Sequence, residues 1–269
     1  MITLVLAIAF AGGVFSACYW PGDFGLGWSI TLGVVGFGGF QAVFGVMLQR
    51  RVKSDMEKVQ AGLLEGQKRL QQKTQRWQLR PPGSIQVAQK EIFEDTKLFV
   101  KQALAETDRL RRYRYWVPMM ERQIATARLQ LHWMIKEFKQ VDELMPKALF
   151  LDPTMSAMKM ARFYMLEKPT AEIEKVYRKA VARARYNDNV LPAALMSWIQ
   201  VTRGDHDGAF KTLTEALKKS DDATLKRNHE LLMNNRPAHF SNSGLGDRWY
   251  ALMLEEPRIR TQRQHVAYR

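Results

Sequence analysis

The hydrophobic pattern divides the chain at Gln49. Two long apolar stretches, about residues 2–20 and 27–48, precede this point, and Asp23 is the only charged side chain before it. A helix of about 20 apolar residues spans the hydrocarbon core of a bilayer, because a helix satisfies its own backbone hydrogen bonds there. The segment between the stretches, 21–25, has the Pro and Gly residues of a tight turn. The pattern predicts a transmembrane helical hairpin.

The charged residues beside the hairpin predict its orientation. The turn contains no Lys or Arg, whereas Arg50, Arg51 and Lys53 directly follow the second apolar stretch. Basic residues are enriched on the cytoplasmic side of a bacterial membrane, and Trp20 and Trp28 flank the turn where interfacial aromatic side chains are favoured. We therefore expect a protein of the bacterial inner (plasma) membrane, with its N-terminus and its C-terminal domain in the cytoplasm. A cleaved signal peptide is less favoured, because no basic residue precedes the first stretch.

A polar segment, residues 50–84, follows the hairpin and contains a seven-residue apolar repeat. The repeat consists of Val52, Met56, Val59, Leu63, Leu70 and Trp77. Gly66 and Lys73 occupy two positions of the same repeat where a coiled coil favours apolar side chains. Two interpretations stay open: a coiled coil that joins two copies of the chain through residues 50–80, or one amphipathic helix against the bilayer or the domain. The sequence Pro-Pro-Gly-Ser at 81–84 predicts the end of this helix and a domain boundary.

Helical periodicity continues after the boundary, without a strand pattern. One amphipathic helix is predicted from Ile85 to near Arg112. Its apolar positions are Ile85, Ala88, Ile92, Leu98, Phe99 and Leu110. Pro118 fits the first turn of the next helix. The predicted fold class is therefore all-α.

Three later segments are related by a repeat of about 34 residues. Ala148, Ala180 and Ala216 end similar apolar patterns and are 32 and 36 residues apart. These segments resemble tetratricopeptide repeats. The second and third units match the family at Met160, Ala161, Tyr164, Tyr177, Ala180, Met196, Ser197, Gly204, Asp205, Ala209, Leu213 and Ala216. The first unit matches at Phe138, Ala148 and Pro153 but departs at Arg128, Leu129 and Pro146, and residues 245–249 are similar to the first helix of a further unit or a cap.

The resemblance implies an α-solenoid over residues 85–235, because a single helical hairpin cannot bury its apolar face alone. In this family the groove of the solenoid binds segments of other proteins. The candidates for partner binding here are Arg128, His132, Arg162, Gln200 and Arg203. A membrane hairpin followed by repeats is similar to the plan of HemY-type proteins and of the tetratricopeptide component of the Pel exopolysaccharide apparatus. This likeness implies a membrane-anchored scaffold. It also suggests that the scaffold belongs to an envelope or exopolysaccharide assembly complex.

Charge suggests two kinds of partner. The chain has 41 Lys and Arg against 27 Asp and Glu, a net charge of +14. Each basic residue near the membrane gains about 1 kcal/mol from attraction to anionic lipid headgroups. This attraction is sufficient to explain the excess of basic over acidic residues. The candidates for a lipid surface are Arg50, Arg51, Lys53, Arg111, Arg112 and Arg114. Alternatively, the basic and aromatic run 109–116 binds nucleic acid or the ribosome, or is a solvated helix end that packs on the first repeat.

Residues with catalytic or metal-binding spacing are not apparent in the sequence. Cys18 is the single cysteine, and none of the five histidines pairs with another at a metal-ligand spacing on one helix. The sequence has neither a nucleophile elbow nor a phosphate-binding glycine loop. We therefore expect a binding protein rather than an enzyme, without cofactor or metal. Residues 236–269 are predicted to form a capping or functional loop, a last helix and a basic tail.

Overall fold

The computed structural model describes residues 2–20, 25–79, 83–117 and 119–256. Within these ranges, all regular secondary structure is helical, and the all-α prediction is confirmed. Outside the described residues lie residues 21–24 of the predicted turn, Pro81, Pro82, Pro118 and the basic tail. Contacts divide the chain into two compact units, Met1–Leu149 and Phe150–Arg269.

Unit 1 begins with an apolar helix that packs against the apolar first part of a long second helix. Its helices are α1 (Ile2–Tyr19), α2 (Leu26–Leu79), α3 (Ile85–Arg109), α4 (Met120–Met134) and α5 (Phe138–Leu144), with a 3₁₀ turn at Leu110–Tyr113. Helix α1 runs antiparallel to the first part of α2. A Cβ at Gly36 would lie 3.4 Å from a methyl group of Val14, and the rings of Phe10 and Phe40 stack with centroids 5.3 Å apart. Small residues on α2 therefore permit close approach of the two helices.

Helix α2 is continuous from the apolar stretch into the polar segment. The sequence predicted two elements, about 27–48 and 50–80, but a single helix of 54 residues covers both. The change from apolar to polar side chains near Leu48 does not end a helix, because neither proline nor a capping motif is present there. By length and composition, the part Leu26–Trp77 can cross a membrane, with a mean hydropathy of 1.7 in its most apolar window.

The seven-residue repeat of α2 packs against α3 within the same chain. Val59 forms a buried cluster with Val100 and Ala103, and Leu63 and Phe99 border it. Apart from Asp55, the residues of 50–77 that are not exposed are those of the repeat, with Gly66 and Lys73 included. A coiled coil between two chains through the same residues would have to displace α3, so the single chain favours the interpretation of an amphipathic helix against its own domain.

The two exceptions in the repeat are explained by their partners on α3. Gly66 faces the ring of Phe99, where a Cβ would lie 2.5 Å from the nearest ring carbon. Lys73 forms ion pairs with Asp95 at 2.7 Å and with Glu91 at 3.0 Å. Helix α3 therefore supplies a large ring opposite the missing side chain and two carboxylates opposite the cation.

Helix α3 begins as predicted and ends earlier. The Ser84 hydroxyl caps it by accepting a hydrogen bond from the amide of Val87 at 3.2 Å. The α-helix stops at Arg109, and the chain continues to Tyr113 as a 3₁₀ turn. Leu98 was predicted on the apolar face, which is wrong: its side chain is 64% exposed. It directly precedes Phe99 and is therefore rotated about 100° away from the face that packs on α2.

The first predicted repeat is shorter than the family pattern. Helix α5 spans only Phe138–Leu144, since Pro146 cannot continue a helix. Ala148 therefore lies beyond α5, and its assignment to the second helix of a hairpin is wrong. Phe138 packs edge-on against Trp133 of α4, with ring centroids 5.4 Å apart.

Unit 2 contains two helical hairpins and further helices. They are α6 (Pro153–Met165), α7 (Thr170–Arg183), α8 (Val190–Thr202), α9 (His206–Leu217), α10 (Ala223–Met233) and α11 (Asp247–Tyr250), with 3₁₀ turns at Pro237–His239 and Ser243–Leu245. Helix α6 packs against both α7 and α8, and α8 against α9. The small and bulky residues that match the repeat pattern are mostly buried at these contacts, among them Met160, Ala161, Met196, Ala209, Leu213 and Ala216.

The turn between α8 and α9 forms at the predicted residues. Gly204 has a φ of +83°, which favours glycine, and the Asp205 carboxylate accepts a hydrogen bond from the amide of Gly208 at 2.9 Å. Of the two interpretations of residues 245–249, a further unit is wrong, because α11 is only four residues long, whereas a cap stays open. Its Trp249 is buried against Trp198 of α8.

Candidate functional site

The polar part of α2 is joined to the 3₁₀ turn by a buried carboxylate. Asp55, with a side chain 9% exposed, accepts hydrogen bonds from Arg112, from the Tyr113 hydroxyl at 2.9 Å and from Lys58 at 3.2 Å. The Arg112 hydrogen bond is the main cause that lowers the pKa of Asp55 from 3.8 to about 2. Arg112, a predicted lipid-surface residue, therefore has a structural partner in α2.

An aromatic contact places the segment after the turn beside the apolar part of α2. The ring of Trp116 packs on Phe44 with centroids 5.6 Å apart. Leu48 and Val52 of α2 contact the buried cluster that contains Leu110. Of the predicted lipid-surface residues, Arg111 lies in the 3₁₀ turn and Arg114 directly follows it, and Arg50, Arg51 and Lys53 lie on the adjoining turns of α2. The structure therefore brings together two basic sequences that are about 60 residues apart.

A basic groove lies between this segment, α4 and the end of α5. Its volume is about 630 Å³, and we name it the α4 groove. Its lining residues are Arg111, Arg114, Glu121, Arg122, Ile124, Ala125, Arg128, His132, Gln140, Leu144, Pro146 and Lys147. The apolar side chains of Ile124 and Ala125 are buried at its floor, whereas Arg111, Arg114, Arg122 and Lys147 are exposed.

The cations of the α4 groove are only partly neutralised. Asp108 lies between two of them, 2.7 Å from Arg128 and 3.2 Å from Arg111. For Arg122 and Lys147, no carboxylate of the described residues lies within ion-pair distance. Glu121 is the one carboxylate among the lining residues that the structure describes, against five Arg and Lys side chains. The groove therefore presents a positive surface over an apolar floor.

His132 has a structural partner at the inner wall of the groove. Its side chain is buried, and Nδ1 lies 2.7 Å from the Glu137 carboxylate. Glu137 directly precedes α5, so this contact connects the end of α4 with the start of the next helix. His132 and Arg128, predicted for partner binding, thus line the same groove as Arg111 and Arg114, predicted for lipid.

The other three predicted partner-binding residues lie in unit 2. Gln200 is buried and accepts a hydrogen bond from Thr212 of α9 at 2.8 Å. Arg203 donates to the Lys168 carbonyl at 2.8 Å and to the Thr170 hydroxyl at 2.6 Å, which connects the end of α8 to the start of α7. Arg162 is on α6, where its Nη1 lies 4.0 Å from the sulfur of Met165. Gln200 and Arg203 therefore hold helices together.

Arg122 and Lys147 were not among the residues singled out from the sequence. The spacing of Arg122, Ala125, Arg128 and His132 places them near one side of α4. Helical periodicity could therefore have identified Arg122 from the sequence. Lys147 follows the short α5 in a loop, and only the tertiary structure places it at the groove.

The loop 236–247 is anchored by buried amides. Asn242 donates to the Ala194 carbonyl at 2.8 Å and accepts from the Asn228 amide at 2.8 Å. Asn228 in turn accepts from the backbone amide of Ser241 at 3.2 Å. These contacts fix the loop against α8 and α10, which favours the interpretation of the loop as a cap.

Comparisons with family models, with characterised proteins and with solved structures give no match for this chain. The likeness to tetratricopeptide repeats therefore rests on the sequence pattern alone.

Proposed function

We propose that this protein is a scaffold of the bacterial inner membrane, anchored by two spans, whose cytoplasmic helical hairpins bind partner proteins. The observation that carries the proposal is the composition of α2. Its first part exposes large apolar side chains, of which Val43 is 73% exposed, and its continuation is polar and packs on α3. A continuous exposed apolar surface is unfavourable in water and is stabilised in lipid.

Helix α1 is proposed as the second span. It has 18 residues and contains no charged side chain, which gives a length of about 27 Å, close to the thickness of the hydrocarbon core. Its packing against α2 is antiparallel, and Val5 and Ile8 remain exposed on its outer side. The absence of Lys and Arg before Arg50 supports a cytoplasmic location for the polar part of the chain.

The binding role is supported by the hairpins of unit 2. Helices α6 and α8 begin 37 residues apart, and each is the first helix of an antiparallel pair. The packing of α6 on α8 and the buried small residues agree with the tetratricopeptide pattern, in which stacked hairpins form a groove for a peptide or helix. The proposed partner is a protein segment that occupies such a groove.

Labelling of cysteines tests the anchor. In a background of Cys18→Ser, we expect a membrane-impermeant maleimide to label Gly25→Cys in intact spheroplasts but to label the matched variant Ser54→Cys only after permeabilisation. The chain should also stay in the membrane during alkaline carbonate extraction. Release by carbonate, or equal labelling of both variants from outside, would refute the two-span anchor.

Crosslinking in intact membranes, followed by mass spectrometry, tests the scaffold. We expect one defined protein to crosslink to the helices of unit 2 and to persist after nuclease treatment. Recovery of ribosomal proteins or RNA alone, lost on nuclease treatment, would support the nucleic-acid alternative and contradict the scaffold.

A further inference from the structure

We propose that the α4 groove binds the phosphate headgroup of an anionic glycerophospholipid. This inference rests on the membrane anchor of the proposed function and adds a specific lipid site to it. The phosphate lies among the side chains of Arg114, Arg122 and Lys147, and the glycerol and upper acyl carbons lie on the apolar floor at Ile124 and Ala125, beside Leu144.

The charges of the groove fit a phosphate. Arg111 and Arg128 share the carboxylate of Asp108, so each already has a counter-charge. Arg122 and Lys147 have no carboxylate at ion-pair distance among the described residues, and they lie on the same groove. Guanidinium and ammonium groups form charge-assisted hydrogen bonds with phosphate oxygens, which replace the missing counter-charge.

The shape of the groove fits an amphiphile better than a fully polar ligand. A volume of about 630 Å³ lies in the range of small-molecule sites. Ile124 and Ala125 are buried at the floor, and Leu144 and Pro146 border it. A phospholipid combines an anionic headgroup with a less polar glycerol ester region. This combination matches the cationic rim and the apolar floor of the groove.

The position of the groove brings it to the level of lipid phosphates. Trp116 packs on Phe44 in the apolar part of α2, and Arg114 is only two residues away from Trp116 along the chain. Lipid phosphates lie directly outside the hydrocarbon core, where Trp side chains and basic residues are favoured. When the anchor is inserted in a membrane, lipid phosphates therefore lie next to the groove.

The aromatic residues of the basic run favour lipid over nucleic acid. Binding of single strands requires aromatic faces on which bases stack. The guanidinium of Arg114 covers the ring of Tyr115 at 4.2 Å from its centroid, and Trp116 packs on Phe44. The two rings thus have partners within the chain, and Arg122 and Lys147 take no part in these contacts.

Native mass spectrometry of the full chain in neutral detergent micelles tests the site. The ligand is dioctanoyl phosphatidylglycerol, with dioctanoyl phosphatidylcholine as the uncharged comparison and sn-glycerol 3-phosphate as the water-soluble phosphate. We expect one phosphatidylglycerol to bind at least tenfold more tightly than phosphatidylcholine. In Arg122→Gln/Lys147→Gln its Kd should rise about tenfold or more, since two cations near the phosphate are lost.

A matched variant separates a specific site from general attraction. Lys90→Gln/Lys101→Gln removes the same charge from exposed positions of α3, and its Kd should stay within about twofold of the original. Equal weakening by both double variants, unchanged binding in Arg122→Gln/Lys147→Gln, equal displacement by glycerol phosphate, or preferential binding of single-stranded RNA would overturn the lipid site. If these results occur while the chain resists carbonate extraction, the anchor stands and only the lipid site fails; release by carbonate refutes the anchor itself.

Discussion

Gly66 is expected to be intolerant of even one added methyl group, although it lies within a helix. A Cβ there would approach three carbons of the Phe99 ring at 2.5, 2.7 and 2.8 Å, distances that require the ring or one of the two helices to move. Gly62, one turn earlier on α2, offers a control, because a Cβ there would have no neighbour within 4 Å. The change Gly→Ala is chemically identical at both positions, so the difference between them isolates the contact with α3.

The magnitude follows from two opposing effects. Alanine stabilises a helix interior by about 0.5–1 kcal/mol relative to glycine, and Gly62→Ala should show this gain. At Gly66 the same gain is opposed by overpacking, which costs about 1–3 kcal/mol in a packed interface. The two variants should therefore differ by about 2 kcal/mol in the free energy of separating α2 from α3, which is roughly 30-fold in the opening constant.

Hydrogen exchange of backbone amides in α3, measured by mass spectrometry on the full chain in detergent, reports this opening constant. We expect faster exchange in Gly66→Ala, slower exchange in Gly62→Ala, and recovery when Gly66→Ala is combined with Phe99→Leu, whose side chain lacks the ring. Equal exchange in the two single variants, or no recovery in the double variant, would show that α2 and α3 do not pack in this register.

Three further changes test other contacts. Because Arg112 lowers the pKa of Asp55 to about 2, the stabilisation by Asp55 is complete above pH 4 and is lost as the pH falls through 2. Asp55→Asn should cost about 1.5–3 kcal/mol at pH 7 in thermal unfolding and should remove the extra pH dependence of the original chain between pH 4 and 2. Asn242→Ala should destabilise unit 2 by about 1–3 kcal/mol and speed proteolysis of the loop 236–247, because the Ala194 carbonyl loses its donor. Glu255→Gln should weaken the attachment of α11 by about 1 kcal/mol, seen as a red shift of tryptophan emission, because two indole N–H groups donate to this carboxylate.

The helices of this protein could be predicted from local signals. The apolar stretch of α1, the cap at Ser84 and the glycine turn at Gly204 each appear where the sequence indicated. Each depends on neighbouring residues only, through backbone conformation, capping or proline chemistry. The same local reasoning was wrong for Leu98 and for a further repeat unit at 245–249, since a short apolar pattern does not specify which face is buried or how long a helix is.

The candidate site could be predicted only in part. The basic run 109–116 was visible, and Arg128 and His132 were chosen from the repeat pattern, but their meeting at one groove depends on how α4 packs beside the 3₁₀ turn. Lys147 gave no signal at all, because its position follows from the early end of α5 and not from a motif. Sites that draw residues from several elements need the tertiary structure for this reason.

By itself, the sequence determined that the chain is helical, where α1 and α3 begin and which stretches are apolar, because these properties depend on side chains close together along the chain. It also determined that α2 carries a seven-residue apolar repeat in which Gly66 and Lys73 are exceptions. Only the tertiary structure decided that this repeat packs against α3 of the same chain, where Phe99 fills the space at Gly66 and two carboxylates neutralise Lys73. A periodic apolar face requires a partner but does not specify it, since many surfaces satisfy the same hydrophobic requirement and only close packing selects among them.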